Sequence, residues 1–76
     1  MTLDSIPHDV TARVSSVDSQ DPHGLRLMEM GLVPGAPVRI VKTAPLGDPI
    51  QVCIHSYHLA LRRSEAKFIH VTLEEY

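Results

Sequence analysis

Cys53, His55 and His58 are the side chains of this chain best suited to chemistry, and they fall within six residues of one another. The chain carries five histidines in 76 residues, its one compositional oddity. Imidazole and thiolate both bind zinc, and imidazole also suits iron or nickel. Residues two apart on a strand share a face, so Cys53 and His55 point the same way if the segment is extended. A two-residue turn at Ser56-Tyr57 would place His58 opposite His55, with Cβ atoms ~4.5–5.5 Å apart. The same register pairs Ile54 with Leu59 and Val52 with Leu61 on the inner face. Such a patch could hold Zn2+ or Fe2+, completed by a water or a second molecule, and a metal bridging two patches would make a homodimer. The competing reading is an ordinary polar hairpin surface with two histidines and a small thiol. His8 and His23 have no partner at a recognised ligand spacing, and His70 alternates with Ile69 and Val71 and should face outward.

Other chemistry is missing from the sequence. There is no GxxxxGK[ST] phosphate loop, no GxSxG, no CxxC and no HExxH. Acidic residues are scattered, and Glu74-Glu75 reads as a solvated tail. No cofactor is required by anything in the pattern, and the chain is not expected to be an enzyme. Tyr57, Phe68 and Tyr76 are the only aromatic residues, too few for a base-stacking platform. The formal charge of −2 gives no basic face for nucleic acid, and Arg62-Arg63 is too short a run to supply one.

Seventy-six residues make one domain. A chain of this size buries only about 60% of its unfolded surface, so its core must be thin. Apolar content of 43% with mixed charge favours folding over disorder. No apolar run approaches the ~18 to 20 residues needed to span a bilayer. The segment MTLDSIPHD lacks the basic and apolar regions of a secretory signal, and the lone Cys53 rules out an internal disulfide. The expected location is the cytoplasm, with any contact to the membrane's inner face made through a partner.

These side chains must be positioned by short elements. Residues 1 to 8, with Pro7 and little periodicity, read as a tail ahead of a domain spanning residues 9 to 74. Val10, Ala12 and Val14 alternate with polar residues as a half-buried strand does, and Val17 ends it. Asp21-Pro22 has the chemistry of a helix start, a capping carboxylate followed by a residue with no donor to leave unpaired. Leu25, Met28 and Leu32 then predict the buried stripe, with Leu27 and Met30 beside it and Gly31 ending the helix. The methionines read as core filling rather than thioether ligands.

Beyond Pro34-Gly35 the helical period vanishes. Val38 and Ile40 alternate with Arg39, and Val41 marks continued burial or a bulge. Ala44 to Pro49 must turn, because two prolines and a glycine crowd it. Ile50, Val52 and Ile54 share an inner face, Leu59 and Leu61 resume it, and Ser64 to Phe68 is long enough for one helical turn. Ile69, Val71 and Leu73 form the last strand. The fold class is mainly β: about five strands and one short helix after the first strand, closed as a small SH3-like β-barrel that removes exposed edges. An OB-like barrel is the competitor, and the chain is short for one.

Three segments in this order resemble the ferrous iron transport protein A (FeoA) family. They are Arg26-Leu27-Met28-Glu29-Met30-Gly31-Leu32 with Pro34-Gly35, then Pro45-Leu46-Gly47-Asp48-Pro49, then Leu59 to Arg62 with Ala66 and Ile69 to Val71. Together they span about two-thirds of the chain. Ser56 departs from the glycine common in the family's hairpin, and the histidines are not part of its pattern. The resemblance implies an SH3-like barrel and a small cytosolic accessory of bacterial ferrous iron uptake. Its partner would be FeoB, a membrane permease with its own G domain. The same domain type also ends some metal-dependent repressors, but this chain has no DNA-reading helix-turn-helix.

On that reading the domain binds FeoB and modulates its transport or GTPase cycle. The contact surface would be the corner between helix and barrel, with Arg26, Glu29, Asp48, Arg62 and Arg63 as exposed candidates. Gly31, Pro34, Gly35 and Gly47 shape the backbone instead. Two alternatives stand beside it: a metal sensor or delivery factor using Cys53, His55 and His58, and a generic adaptor for proline-rich peptides. The adaptor is disfavoured because such peptides dock on aromatic-lined grooves.

Overall fold

The computed structural model describes residues 1–55 and 57–74. A 3-10 turn at Leu3–Ser5 precedes strand β1 (Ala12–Val17), helix α1 (Pro22–Glu29), β2 (Pro37–Thr43), β3 (Ile50–Ile54), β4 (Tyr57–Leu61), the one-turn helix α2 (Arg63–Ala66) and β5 (Ile69–Leu73). The five strands form one antiparallel sheet in the order β4-β3-β2-β1-β5.

The expected closed barrel is corrected here. β4 and β5 lie at opposite ends of the sheet and do not pair with each other. The chain crosses from one to the other through α2. Bulges between Val14 and Ser16 and between Ile40 and Lys42 bend the long strands. An extra residue on one strand raises the local twist, so the sheet curls without closing.

Residues 1 to 8 are not the free tail that their composition suggested. Leu3 and Ile6 enter the core, at 0% and 5% exposure. Thr2 bridges to His70, and Val71 N–H donates to the Met1 carbonyl at 2.9 Å. This segment covers the outer edge of β5 and satisfies backbone groups that would otherwise stay open. Leu3 joins Ala12, Val14, Val38, Ile40, Ile50, Val52, Ile54, Leu61, Ile69 and Val71 in a single apolar cluster. Their period-two spacing puts one face of each strand inward.

Helix α1 turns a different face inward from the one expected. Leu25 is 51% exposed, whereas Leu27 is fully buried. The cause is Gly24, which is also buried. A Cβ there would stand 1.8 Å from the Asp18 carbonyl oxygen, so only glycine lets the helix lie this close to the end of β1. That approach seats Gly24 and Leu27 and swings Leu25 outward.

The helix ends in a Schellman motif. Leu32 N–H donates to the Leu27 carbonyl at 3.2 Å and Gly31 N–H to that of Met28 at 3.0 Å. Gly31 sits at φ +104°, the left-handed turn that this pair of bonds requires. Leu27 and Leu32, the two apolar residues that the motif brings together, are both buried.

Candidate functional site

The β3–β4 hairpin corrects the expected register. Ile54 pairs with Tyr57, Cys53 with His58, and Val52 with Leu59. The turn expected at Ser56-Tyr57 falls partly on Ser56, outside the described residues, while Tyr57 already belongs to β4. His55 lies beyond the end of β3 at φ +54°. Histidine is among the few residues with a side chain that enter this left-handed region readily, and tight hairpin turns need it.

The consequence for the candidate ligands is direct. Cys53 faces His58 across the strands, and His55 sits in the turn instead of opposite His58. The Cys53 thiol, half-buried, donates to the His55 carbonyl at 3.5 Å. Gln51 Nε2 donates to His58 Nδ1 at 3.1 Å. Cys53 and His55 also line a small hollow of about 130 Å³ with Arg39. Among the described residues, no three His, Cys, Asp or Glu side chains are grouped as a metal ion would need.

The five charged candidates divide into two groups. Asp48 and Arg63 are turned toward each other at the backbone: Asp48 Oδ1 accepts the Arg63 N–H at 3.0 Å. The Arg63 guanidinium donates through Nε to the Gly47 carbonyl at 2.5 Å and through Nη1 to the Asp4 carbonyl at 3.2 Å. It therefore ties together the N-terminal 3-10 turn, the β2–β3 loop and α2. That loop is held further by Gly47 N–H on Ala44 O and Ala44 N–H on Pro49 O, at 2.7 and 3.0 Å. Its tip, Leu46, is 96% exposed.

Arg26 and Arg62 form the second group. They line one cleft of about 350 Å³ between α1 and α2, together with His23, Ser64 and Glu65. Glu29 is exposed on α1 but does not line this cleft. Arg62 also borders a shallower depression beside Asp48 and Pro49.

Sequence reasoning missed His23. Its Nδ1–H donates to Asp21 Oδ1 at 3.0 Å, and its ring stacks on Phe68 with centroids 5.9 Å apart and planes 7° from parallel. Asp21 also accepts the His23 backbone N–H at 2.8 Å. That backbone bond, followed by the side-chain bond, holds the Asp21 carboxyl below its ordinary pKa. The capping position of Asp21 was legible; the Phe68 stack depends on a contact across 45 residues and left no local signal.

Comparison with known proteins follows the same architecture. Over 48 residues, 63% of this chain, it is 44% identical to a Porphyromonas gingivalis Fe(2+) transport protein A/Fe(2+) transporter FeoB fusion protein, spanning 6% of that protein's length. It superimposes on the Stenotrophomonas maltophilia FeoA complexed with zinc, described as a prokaryotic SH3 domain protein, with a TM-score of 0.84 and 39% identity. The match covers 95% of this chain and 89% of that one. A FeoA-like protein from Clostridium acetobutylicum matches at a TM-score of 0.90 and 32% identity, covering 100% and 91% of the two chains. The FeoA domain family model matches residues 1–73, and with this open five-stranded sheet behind it the chain belongs to the FeoA domain family.

Proposed function

We propose that this protein is a non-catalytic accessory of ferrous iron uptake that docks on a FeoB-type permease and modulates its transport or nucleotide cycle. One observation carries the reading: a relative 44% identical over 48 residues of this chain exists as a fusion of transport protein A with the transporter FeoB. Two functions joined in one chain are held at high effective concentration, an arrangement that favours their contact. No helix among the described residues is long and apolar enough to cross a membrane, so contact with the bilayer would come through the permease.

The docking surface in this reading is the corner where α1 meets α2, bearing Arg26 and Arg62, with Glu29 beside it. Arg63 and Asp48 act behind that corner by holding the loop and α2 in place. Two measurements test the reading: co-purification with the permease, and ferrous iron uptake in a strain lacking this chain but retaining the permease. Uptake equal to wild type, with no co-purification, would sink it.

A second reading is divalent-metal binding at the β3–β4 hairpin. Cys53 opposite His58 favours it, as does the zinc complex of a 39% identical relative. Co-purification repeated after chelation separates the two. Association that survives metal removal supports the docking role, and association lost with the metal supports the sensor or delivery role.

A further inference from the structure

The cleft between α1 and α2 brings two arginines together on a chain whose net charge is −2. Its walls carry two guanidinium groups, Arg26 from the last turn of α1 and Arg62 from the residue before α2. Among the described residues the ion pairs are Arg13–Glu74 and His23–Asp21, and neither cleft guanidinium has a carboxylate partner among them. The one acid lining the cleft, Glu65, has one oxygen fixed by the Arg62 backbone N–H at 3.0 Å, and against its single charge stand the two guanidinium groups. His23 is fixed from one side by Phe68 and from its Nδ1 by Asp21, which leaves the Nε2 edge unused. Ser64 also lines the cleft, from α2.

We infer that this cleft receives an acidic segment of a partner protein, one presenting two neighbouring Asp or Glu side chains to Arg26 and Arg62. Guanidinium and carboxylate match as planar forks and form paired charge-assisted hydrogen bonds. Two arginines from separate segments of the chain fit two carboxylates on one extended segment better than a single small anion. Other anionic partners fit less well. A membrane surface is recognised by clusters of about four to eight basic residues, far more than stand here. A nucleotide needs a ring of backbone donors and a base platform, and the one stacked ring is already taken by Phe68. The inference deepens the docking reading above and rests on it: the acidic segment would belong to the cytoplasmic part of the permease.

The probe is an acetylated, amidated hexaglutamate peptide titrated into the 15N-labelled full chain, with hexaglutamine and inorganic phosphate as parallel arms. Saturable amide shifts are expected at His23, Arg26, Arg62, Ser64 and Glu65 with hexaglutamate only. The affinity should fall about fivefold or more in Arg26→Gln and again in Arg62→Gln, and should weaken as salt rises. Arg39→Gln, outside the cleft, should leave it unchanged. Equal binding of hexaglutamine overturns the inference, as do shifts centred elsewhere on the surface. Saturation by phosphate at concentrations where hexaglutamate gives none reassigns the cleft to phosphate and also overturns it. The amide spectrum of each variant reports its fold, and Arg26→Lys and Arg62→Lys, which keep charge but lose the fork, provide a second set that should bind at intermediate strength. The two readings fail separately. Hexaglutamate binding lost in the variants, with co-purification of the permease intact, keeps the cleft chemistry and removes the permease as its source.

Discussion

Arg63 Nη1 donates to the carbonyl oxygen of Asp4 at 3.2 Å, joining residues 59 positions apart in the sequence. The same side chain reaches Gly47 through Nε, so one guanidinium fastens the N-terminal segment, the β2–β3 loop and α2. A planar group with several fixed donors can serve two carbonyls at once, which a lysine ammonium on a flexible stem does poorly.

That relationship predicts a split between two adjacent arginines. Arg63→Ala should cost about 1.5–3 kcal/mol, the range for hydrogen bonds to a charged group that leave their acceptors unpaired. Arg63→Lys should recover only part of the loss. Arg62→Ala, exposed and without an internal partner, should stay within about 0.5 kcal/mol of wild type. Urea denaturation measures all three, and equal loss at both positions would remove Arg63 as the internal tie.

A second prediction concerns the face of α1. Leu27→Ala should destabilise by about 2–5 kcal/mol, since a fully buried leucine leaves a cavity. Leu25→Ala should change stability by no more than about 1 kcal/mol, its side chain being half in solvent. The reverse order would restore the stripe that the sequence spacing suggested.

Gly31 and Tyr57 form a third test. A Cβ at Gly31 would stand 2.7 Å from the Tyr57 hydroxyl, which donates to the Met30 carbonyl at the end of α1. Gly31→Ala should therefore lose about 1–3 kcal/mol through its positive φ and the contact together. Combined with Tyr57→Phe, which removes the hydroxyl, the double variant should lose less than the two single losses added. Strict additivity would place the whole cost in the backbone.

Asp21 supplies a pH dependence with a definite sign. Its folded pKa is depressed, so its contribution to stability is present above the unfolded aspartate value and is lost as pH falls through the lower folded value. His23→Ala should raise the Asp21 pKa only part of the way back, because the backbone N–H of residue 23 still donates and is the larger cause. A carbonyl-carbon NMR titration of Asp21 reads this; full return to the ordinary value would assign the shift to the imidazole.

Zinc titration distinguishes the two hairpin registers. With Cys53 facing His58, a saturable zinc signal should weaken more in Cys53→Ala and His58→Ala than in His55→Ala. Equal loss in all three would support the three-ligand patch instead.

The strands were legible because their inner faces alternate: Val38 and Ile40, Ile50, Val52 and Ile54, Ile69 and Val71 are all buried. The hairpin register was not. The observed pairing of Val52 with Leu59 differs by two residues from the expected pairing with Leu61. A slip of two returns every side chain to the same face, so alternation cannot distinguish the two, whereas a slip of one would have exposed the core. The charged candidates divided for a similar reason. Nothing local separates Arg62 from Arg63, and only the approach of Gly47 and Asp4 gives Arg63 its partners.

By itself, then, the sequence determined the elements of this protein, its family pattern and the left-handed turn at Gly31, because each depends on neighbours along the chain. Tertiary structure decided the rest. It left the sheet open, drew Leu3 and Ile6 into the core, moved His55 out of line with His58, and brought Arg26 and Arg62 to one cleft. The hairpin register is local but invisible to alternation, and the others depend on contacts between segments far apart in sequence, where local periodicity carries no information.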